Sequence, residues 1–302
     1  METSFVFDFK RYAINDGPGI RIVVFLKGCN LNCAWCHNPE SISATPERMY
    51  AQSKCIQCGT CVMTCPEKAI SLIPDGIITD AGRCKLCGHC ANVCPTKAIE
   101  MSGEQLSLTQ ILGEIEKERL FFDQSGGGVT FSGGEPLQQH QILIQLLDEC
   151  KKRGIHTVVD TAGLAKTAIL LEVAKRTDLF LFDLKIMNSE KHRKWTGVPN
   201  ENILKNLRIL AETDAKIIIR IPLIGGINDD EENLTKTAKF ISELSGEKRV
   251  VNLLPYHPIA QTKYQKLGRS ADFTKLEKPT EESIIQAITI FGKSGIIASI
   301  GG

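Results

Sequence analysis

The twelve cysteines of this 302-residue chain are distributed unevenly. Eleven of them fall between Cys29 and Cys94, and Cys150 stands alone. Within that segment the stretches CIQCGTCVMTCPEKAI and CKLCGHCANVCPTKAI have the same cysteine spacing and begin 29 residues apart, at Cys55 and Cys84. Crowded cysteines with fixed spacings are typical of metal or cluster ligands when the compartment is reducing. They constrain the fold more than any other feature of the chain.

The remaining composition predicts the compartment. The stretch METSFVFDFKRYAIND lacks a basic region followed by an apolar one, so we expect no signal peptide. No apolar run reaches the roughly 18 residues of a membrane span. The 36 Lys and Arg residues balance 35 Asp and Glu residues, which favours neither nucleic acid nor a membrane surface as a partner. We therefore expect a cytoplasmic protein, in which disulfide bonds are disfavoured.

Outside the repeat, short apolar runs alternate with helical patterns. Apolar residues at i, i+3, i+4 and i+7 from Leu143 to Cys150 predict an amphipathic helix, which places Cys150 in a core and not at a metal. Ser107 and Gln110 have the spacing of a capping box, which predicts the start of another helix. The apolar runs predict buried parallel strands at 21–28, 128–134, 156–163, 179–185, 216–224 and 249–257, with a short seventh at 295–300.

Repeated strand and helix units predict an α/β fold with a parallel sheet, either doubly wound or closing toward a barrel. Six strands and a short seventh favour a partial (β/α)6 TIM-like barrel that is not fully closed. The alternation breaks between about 48 and 102, where the cysteine repeat has its own composition. We therefore expect a core formed by residues 1–48 and 103–302, interrupted by an inserted domain at 49–102.

Each half of the repeat has the pattern C-x2-C-x2-C-x3-C-P. This is the run of bacterial ferredoxins, in which the fourth cysteine binds the other of two clusters. The insert is therefore predicted to be ferredoxin-like, with two 4Fe–4S clusters. Zinc is disfavoured because zinc modules pair two C-x2-C units across a longer gap. Electron relay is favoured over a purely structural role, although a cluster can serve both. The predicted ligand sets are Cys55, Cys58, Cys61 and Cys94, and Cys84, Cys87, Cys90 and Cys65.

A separate group of three cysteines lies in GCNLNCAWCHNPES, residues 28–41. Cys29, Cys33 and Cys36 can bind three irons of a 4Fe–4S cluster and leave the fourth without a protein ligand. An open coordination position on a metal is a mark of chemistry. The spacing C-x3-C-x2-C resembles the signature of the radical S-adenosylmethionine (SAM) superfamily. That resemblance implies that SAM binds the open iron and is reductively cleaved to a 5′-deoxyadenosyl radical.

Polar residues follow several of the predicted strands at their carboxyl ends, where barrel enzymes build their sites. Buried polar groups are costly unless satisfied, and a zwitterionic ligand with an adenine and a ribose would satisfy them. Other interpretations remain open: Arg220 and an Asp can form a structural ion pair, His257 can be a cap or a surface residue, and the glycines of SGGE can mark a tight turn. The residues in question are Gly133, Gly134, Glu135, Asp160, Thr161, Asp183, Lys185, Arg220 and His257.

Longer stretches resemble one family within that superfamily, the activating enzymes of glycyl radical enzymes. The resemblance covers nearly the whole chain outside the insert, and it implies the radical SAM type of partial barrel. DGPGIR beside the cysteine triplet is the most specific part of it. One departure is Ala162 in DTAG, where the family commonly has an Asn. The matching stretches are DGPGIR (16–21), GCNLNCAWCHN (28–38), SGGGVTFSGGEPLQ (125–138), CKKRGIHTVVDTAG (150–163), DLFLFDLKIMN (178–188), GVPNENIL (197–204) and NLLPYH (252–257).

The resemblance implies roles for individual positions. Cys29, Cys33 and Cys36 would hold the SAM-cleaving cluster and would be catalytic together with Lys185. The positions implied to contact SAM are Trp35, Cys36 and His37 at the adenine, Gly134 of the Gly133, Gly134 and Glu135 turn at the amino group, and Asp183, Leu184 and Lys185, with His257 nearby, at the ribose and carboxylate. Those implied around them are Asp160, Thr161 and the Leu181 carbonyl at a monovalent cation, Arg220 in a charge-assisted contact, and Asp16 where a partner peptide enters.

The resemblance also implies the reaction and the partners. The radical would take a hydrogen atom from the α-carbon of a glycine in a partner glycyl radical enzyme, and flavodoxin or ferredoxin would supply electrons. We expect a dehydratase or lyase as the partner more than a formate-lyase. Two other functions are disfavoured. DGPGIR argues against a radical SAM enzyme with a different substrate, and the triplet argues against a ferredoxin-like electron-transfer protein.

Overall fold

The computed structural model describes residues 3–246, 250–269 and 273–301. Nine of the strands in this part of the chain form one large sheet, and four form two small two-stranded sheets. The strands are β1 (Thr3–Ala13), β2 (Arg21–Leu26), β3 (Glu47–Tyr50), β4 (Ile70–Ile73), β5 (Gly76–Thr79), β6 (Ile99–Ser102), β7 (Glu104–Ser107), β8 (Gly128–Gly133), β9 (His156–Thr161), β10 (Leu179–Asp183), β11 (Ile217–Leu223), β12 (Val250–Pro255) and β13 (Ile297–Ile300).

The large sheet has the order β13-β12-β11-β10-β9-β8-β2-β1-β7. All neighbours from β2 to β13 are parallel, so the six predicted strands and the short seventh are confirmed. Two antiparallel strands, β1 and β7, extend the sheet beyond β2 and were not predicted. Within the described residues β7 and β13 are the two edges, so the sheet stays open.

Helices follow the parallel strands and cover one face of the sheet. The capping box is confirmed, since the Ser107 hydroxyl accepts from Gln110 N–H and the Gln110 side chain accepts from Ser107 N–H. Among the described residues no helix is long and apolar enough to cross a membrane. The helices are α1 (Thr60–Thr64), α2 (His89–Asn92), α3 (Leu108–Glu116), α4 (Arg119–Ser125), α5 (His140–Lys152), α6 (Thr167–Ala174), α7 (Ser189–Thr196), α8 (Glu201–Ala211), α9 (Glu231–Ser242), α10 (Gln261–Lys266) and α11 (Glu281–Lys293).

The main hydrophobic core lies between the sheet and these helices. Alternate strand residues such as Val24, Phe131 and Phe182 face it, because successive side chains of a strand point to opposite faces. Cys150 on α5 is fully buried there, which confirms its prediction as a core residue. The opposite face of the sheet carries polar residues toward its carboxyl end. Helix packing on one face therefore leaves the other face free for a site.

The loop between β1 and β2 folds against this second face. The Asp16 carbonyl accepts a hydrogen bond from Thr130 on β8 at 2.7 Å, and its carboxylate lies 3.4 Å from Arg220 on β11. Strands β8 and β11 are three positions apart, or roughly 14 Å in a flat sheet. Asp16 therefore connects two strands that are not neighbours in the sheet.

The predicted insert forms separate structure between β2 and β8. Strand β3 pairs with β6 and β4 pairs with β5, both antiparallel, and α1 and α2 pack beside them. Ile70, Ile77 and Ile99 form a small core that packs against cysteines of the repeat. Because β3 and β6 pair from Glu47↔Ser102 to Tyr50↔Ile99, the two ends of the segment lie side by side.

Candidate active site and cluster sites

A cavity of about 260 Å³ opens at the carboxyl ends of the parallel strands. Most residues predicted for the site line it, although they come from six different strands and loops. Ser132, Pro222, Ile224, Leu254 and Tyr256 also line it and were not predicted. The predicted residues in its wall are Cys29, Cys33, Trp35, Cys36, His37, Gly133, Gly134, Glu135, Asp160, Thr161, Asp183, Lys185 and Arg220.

Two of the residues predicted to contact SAM do not line this cavity. The Leu184 side chain is only 3% exposed and packs into the main core, while its N–H donates to the Arg220 carbonyl at 2.9 Å. His257 is exposed just after β12, and Tyr256 beside it turns into the cavity. A step of one residue along an extended chain changes the face, so a position at a strand end does not by itself fix which side chain points inward.

The cysteine triplet lies on a loop fixed by main-chain hydrogen bonds. Gly28 N–H donates to the Ser41 carbonyl at 2.8 Å, and Cys29 N–H donates to that of Ile42 at 3.0 Å. Burial raises the pKa of Cys29 and Cys36 to about 12, because a buried thiolate is costly without a compensating cation. Iron would supply that charge, since metal binding displaces the thiol proton. The three thiols therefore suit a cationic cluster.

Asp183 and Lys185 form an ion pair beside these thiols, with 2.8 Å between the Lys185 Nζ and an Asp183 carboxylate oxygen. Burial alone would lower the pKa of Lys185, but the charge and the hydrogen bond of the Asp183 carboxylate raise it above its usual value. Lys185 therefore stays charged in the cavity wall. The pair offers a zwitterionic ligand one group of each sign.

Arg220 lies between two carboxylates. Its Nη1 is 3.6 Å from Asp160 and 3.4 Å from Asp16, and the Ser132 hydroxyl donates to Asp160 at 2.7 Å. Burial raises the pKa of Asp160 to about 6, and the Arg220 charge opposes that rise. Arg220 and Asp160 therefore form the structural ion pair that was the alternative interpretation of Arg220, and both residues lie in the cavity wall. Asp16 was predicted near the site, but its contact with Arg220 was not.

Glu135 links two loops of the site. Its carboxylate, 1% exposed, accepts from the Thr161 hydroxyl at 2.6 Å, from Ala162 N–H at 2.9 Å and from Leu137 N–H at 3.2 Å. Burial raises the pKa of Glu135 to about 7, against the effect of these three donors. The arrangement makes Glu135 a positioning residue that holds the SGGE turn beside the loop after β9.

The glycines of SGGE do more than form a turn. A Cβ on Gly134 would lie 2.4 Å from the Gly28 carbonyl oxygen, so only glycine allows this close approach. Gly134 N–H donates to the Leu26 carbonyl at 2.8 Å and Glu135 N–H donates to that of Gly28 at 2.8 Å. The Gly134 carbonyl is then the backbone group of this residue that can accept a hydrogen bond from a ligand.

The eight cysteines of the repeat line two further cavities, each of about 20 Å³. Each cavity gathers three cysteines from one half of the repeat and one from the other half, which is the grouping that the spacing predicts. Cys58 and Cys87 are exposed and the remaining six are partly buried. The first cavity has Cys55, Cys58, Cys61 and Cys94 in its wall, and the second has Cys65, Cys84, Cys87 and Cys90.

Families of known proteins match both parts of the chain. The family described as the Radical SAM superfamily matches residues 81–238. A 4Fe-4S dicluster domain matches residues 54–98, and a 4Fe-4S single cluster domain matches residues 15–70. These matches support SAM and iron–sulfur clusters as cofactors. They also suggest that the insert is ferredoxin-like.

Individual relatives extend over almost the whole chain. The trans-4-hydroxy-L-proline dehydratase activating enzyme of Clostridioides difficile is 45% identical, with 98% of this chain and 99% of that protein covered. The choline trimethylamine-lyase activating enzyme of Oleidesulfovibrio alaskensis is 39% identical, with 87% of this chain and 86% of that protein covered. In a solved domain of the pyruvate-formate lyase-activating enzyme of Bacteroides vulgatus, 43% of residues are identical at a TM-score of 0.51, with 58% of this chain and 99% of that domain covered. The chain belongs to the radical SAM superfamily and, within it, to the activating enzymes of glycyl radical enzymes.

Proposed function

We propose that this enzyme reductively cleaves SAM in the main cavity and uses the 5′-deoxyadenosyl radical to take a hydrogen atom from a glycine α-carbon of its partner. The observation that carries the proposal is that Cys29, Cys33 and Cys36 share one cavity with the polar residues of four parallel strands. Three thiolates leave one iron of a 4Fe–4S cluster open. When bound there, the cluster supplies the electron that the cleavage of SAM needs.

The cavity residues suit the separate parts of SAM. Trp35 and His37 offer ring faces to the adenine, and Tyr256 lies 5.9 Å from His37 between ring centroids. The Gly134 carbonyl is placed to accept from the ammonium group, and Lys185 or Arg220 can pair with the carboxylate. For two of the residues predicted to contact SAM, we propose a role of the backbone and not of the side chain. Leu184 acts through its backbone, and His257 acts through a backbone contact with the His37 ring.

A monovalent cation remains part of the proposal, at Asp160, Thr161 and the Leu181 carbonyl. In support of it, Asp160 and Thr161 both line the cavity, and Asp160 pairs with Leu181 in neighbouring strands. A cation there would balance the Asp160 carboxylate together with Arg220.

We further propose that the insert holds two 4Fe–4S clusters, which gives three clusters per chain. The support is that each of its two cavities has four cysteines in its wall, the number that closes a cluster fully. Because Cys58 and Cys87 are exposed, flavodoxin or ferredoxin can approach these clusters as a reductant. The proposed division into residues 1–48, 49–102 and 103–302 is supported by the pairing of β3 with β6.

The partner is proposed to be a glycyl radical enzyme of the dehydratase or lyase type, because the two relatives that cover most of this chain are named for partners of these types. Its glycine segment would enter from the open side of the sheet, near Asp16. That segment must leave its own enzyme to do so, which requires a conformational change in the partner.

The cleavage of SAM under anaerobic, reducing conditions tests this function. The reconstituted wild-type chain should produce 5′-deoxyadenosine and methionine. Cys33→Ala should abolish that production and lower the iron content from about 12 to about 8 atoms per chain, since the other two clusters keep their ligands. Cys150→Ala is the matched control and should leave both unchanged. Sustained cleavage by Cys33→Ala would contradict the assignment of the triplet.

A further inference from the structure

The two halves of the insert are related by an internal symmetry. Strand β6 follows one half of the repeat and β4 follows the other, 29 residues earlier, and each pairs with one further strand in the same register. Arg48 on β3 is paired with Met101 on β6, and Ile77 on β5 is paired with Leu72 on β4. Arg48 and Ile77 are themselves 29 residues apart. They are therefore equivalent positions of the two cluster sites.

The two sites differ in charge at these positions. Ile77 lines the first cavity, whose other side chains are also uncharged apart from the cysteines. Arg48 lines the second cavity, where Lys85, Glu67 and His89 also contribute. The symmetry thus places a guanidinium in one cavity where the other has an aliphatic side chain.

One atom of Arg48 lacks a partner. Its Nη1 is buried and makes no hydrogen bond within the part of the chain that the structure describes. A buried charged donor without an acceptor is destabilising, so such an atom indicates an acceptor that binds later.

We propose that Arg48 donates a charge-assisted hydrogen bond to a sulfur of the cluster held by Cys65, Cys84, Cys87 and Cys90, and thereby makes this the higher-potential cluster of the insert. Reduction adds negative charge to a cluster, and a nearby cation or N–H donor stabilises that charge. The inference rests on the proposed function, since it requires two clusters in the insert. An electron shared by the pair would reside mainly at the Arg48 site.

The position of the second cavity indicates in which direction a difference in cluster potential would move an electron. Met101 of the second cavity and Asn92 of α2 also line a cleft with Val6 and Phe9 of β1, so this side of the insert adjoins the core. The wall of the first cavity shares no residue with that cleft. A higher potential at the second cavity, beside Arg48, would therefore draw an electron from the cluster of the first cavity toward the core.

A redox titration followed by EPR tests the inference on the full-length, reconstituted chain. SAM is added in a parallel titration to identify the signal of the SAM-binding cluster. Arg48→Ile gives the second site the residue of the first, and we expect the midpoint of one insert cluster to fall by about 59 mV, a tenfold change in its reduction equilibrium. The other two midpoints should stay in place. Ile77→Val is the matched control and should move none of them.

The remaining outcomes separate the inference from the proposed function. Wild-type iron near 4 atoms per chain would contradict the two-cluster insert itself. Iron near 12 with no midpoint moved by Arg48→Ile, or with all three moved together, would overturn only the role of Arg48. If Arg48→Ile loses a cluster, the variant Arg48→Lys decides whether Arg48 acts through its charge or through packing. A restored cluster with an intermediate midpoint supports the role of the charge, and loss in both variants shows that Arg48 acts in packing alone.

Discussion

Gly134 sets how closely two loops of the active site approach each other. A Cβ there would meet the carbonyl oxygens of Gly28 at 2.4 Å and Ser41 at 2.9 Å, and backbone atoms cannot easily move away. We expect Gly134→Ala to separate the loops and to lower the rate of SAM cleavage at least tenfold, with the insert clusters retained. Gly113→Ala on α3 is the control, because a Cβ there meets nothing within 4 Å and should stabilise the helix by up to about 1 kcal/mol.

Glu135 should make stability depend on pH. Its folded-state pKa is raised to about 7 from an ordinary value of 4.5, chiefly by burial. The folded chain then holds the proton more tightly than the unfolded chain. This contribution is complete below pH 4.5 and is lost as the pH rises through about 7, which amounts to about 3 kcal/mol. In urea unfolding at pH 5 and pH 8, Glu135→Gln should lose less stability than the wild type over this interval. Equal losses would contradict the prediction.

At this scale, the sequence predicts residues whose relation is local. The spacing of the triplet and of the repeat predicts which cysteines meet, because three cysteines of each set lie in one short segment and the fourth of each repeat set follows the ferredoxin pattern. The contact between Asp16 and Arg220, 204 residues apart, depends on how the loop after β1 folds over the sheet and has no local signal. The sequence also does not show which side chain at a strand end points into the cavity. Tyr256 points inward, whereas His257 beside it is exposed.

The pairing of strands β3 and β6 predicts that the core can fold without the insert. Tyr50 and Ile99 are partners in that pair, so a two-residue turn can join them. Replacing residues 51–98 by Asn-Gly should leave a folded core with about 4 iron atoms per chain and an unchanged parallel sheet. Iron content and circular dichroism measure this. An insoluble or iron-free product would show that the core needs the insert to fold.

The elements themselves were unequally predictable. The parallel strands are buried on both faces and appear as continuous apolar runs, such as RIVVFL and LFLFD. Strands β1 and β7 were missed because they are antiparallel and partly exposed, so their sequences TSFVFDFKRYA and EQLS contain polar residues on one side. Short helices such as α7 were missed for the same reason, since its residues are mostly polar.

The whole molecule combines two kinds of cluster site. The core brings three cysteines to a cavity that also holds groups for SAM, and the insert gives four cysteines to each of two small cavities. In the proposed function the first arrangement would leave an iron open for chemistry, while the second would close each cluster and suit electron transfer. This division follows from cysteine count and placement. The identity of the partner depends on surfaces that no motif of the chain encodes.

The formation of a glycyl radical on a partner enzyme tests the central claim most directly. The reduced, reconstituted chain is mixed anaerobically with SAM and a candidate glycyl radical enzyme of the dehydratase or lyase type, and EPR spectra are recorded. We predict the doublet of a glycyl radical with the wild-type chain and none with Cys33→Ala. Cleavage of SAM without a doublet on any glycyl radical enzyme tried would contradict activation of such a partner.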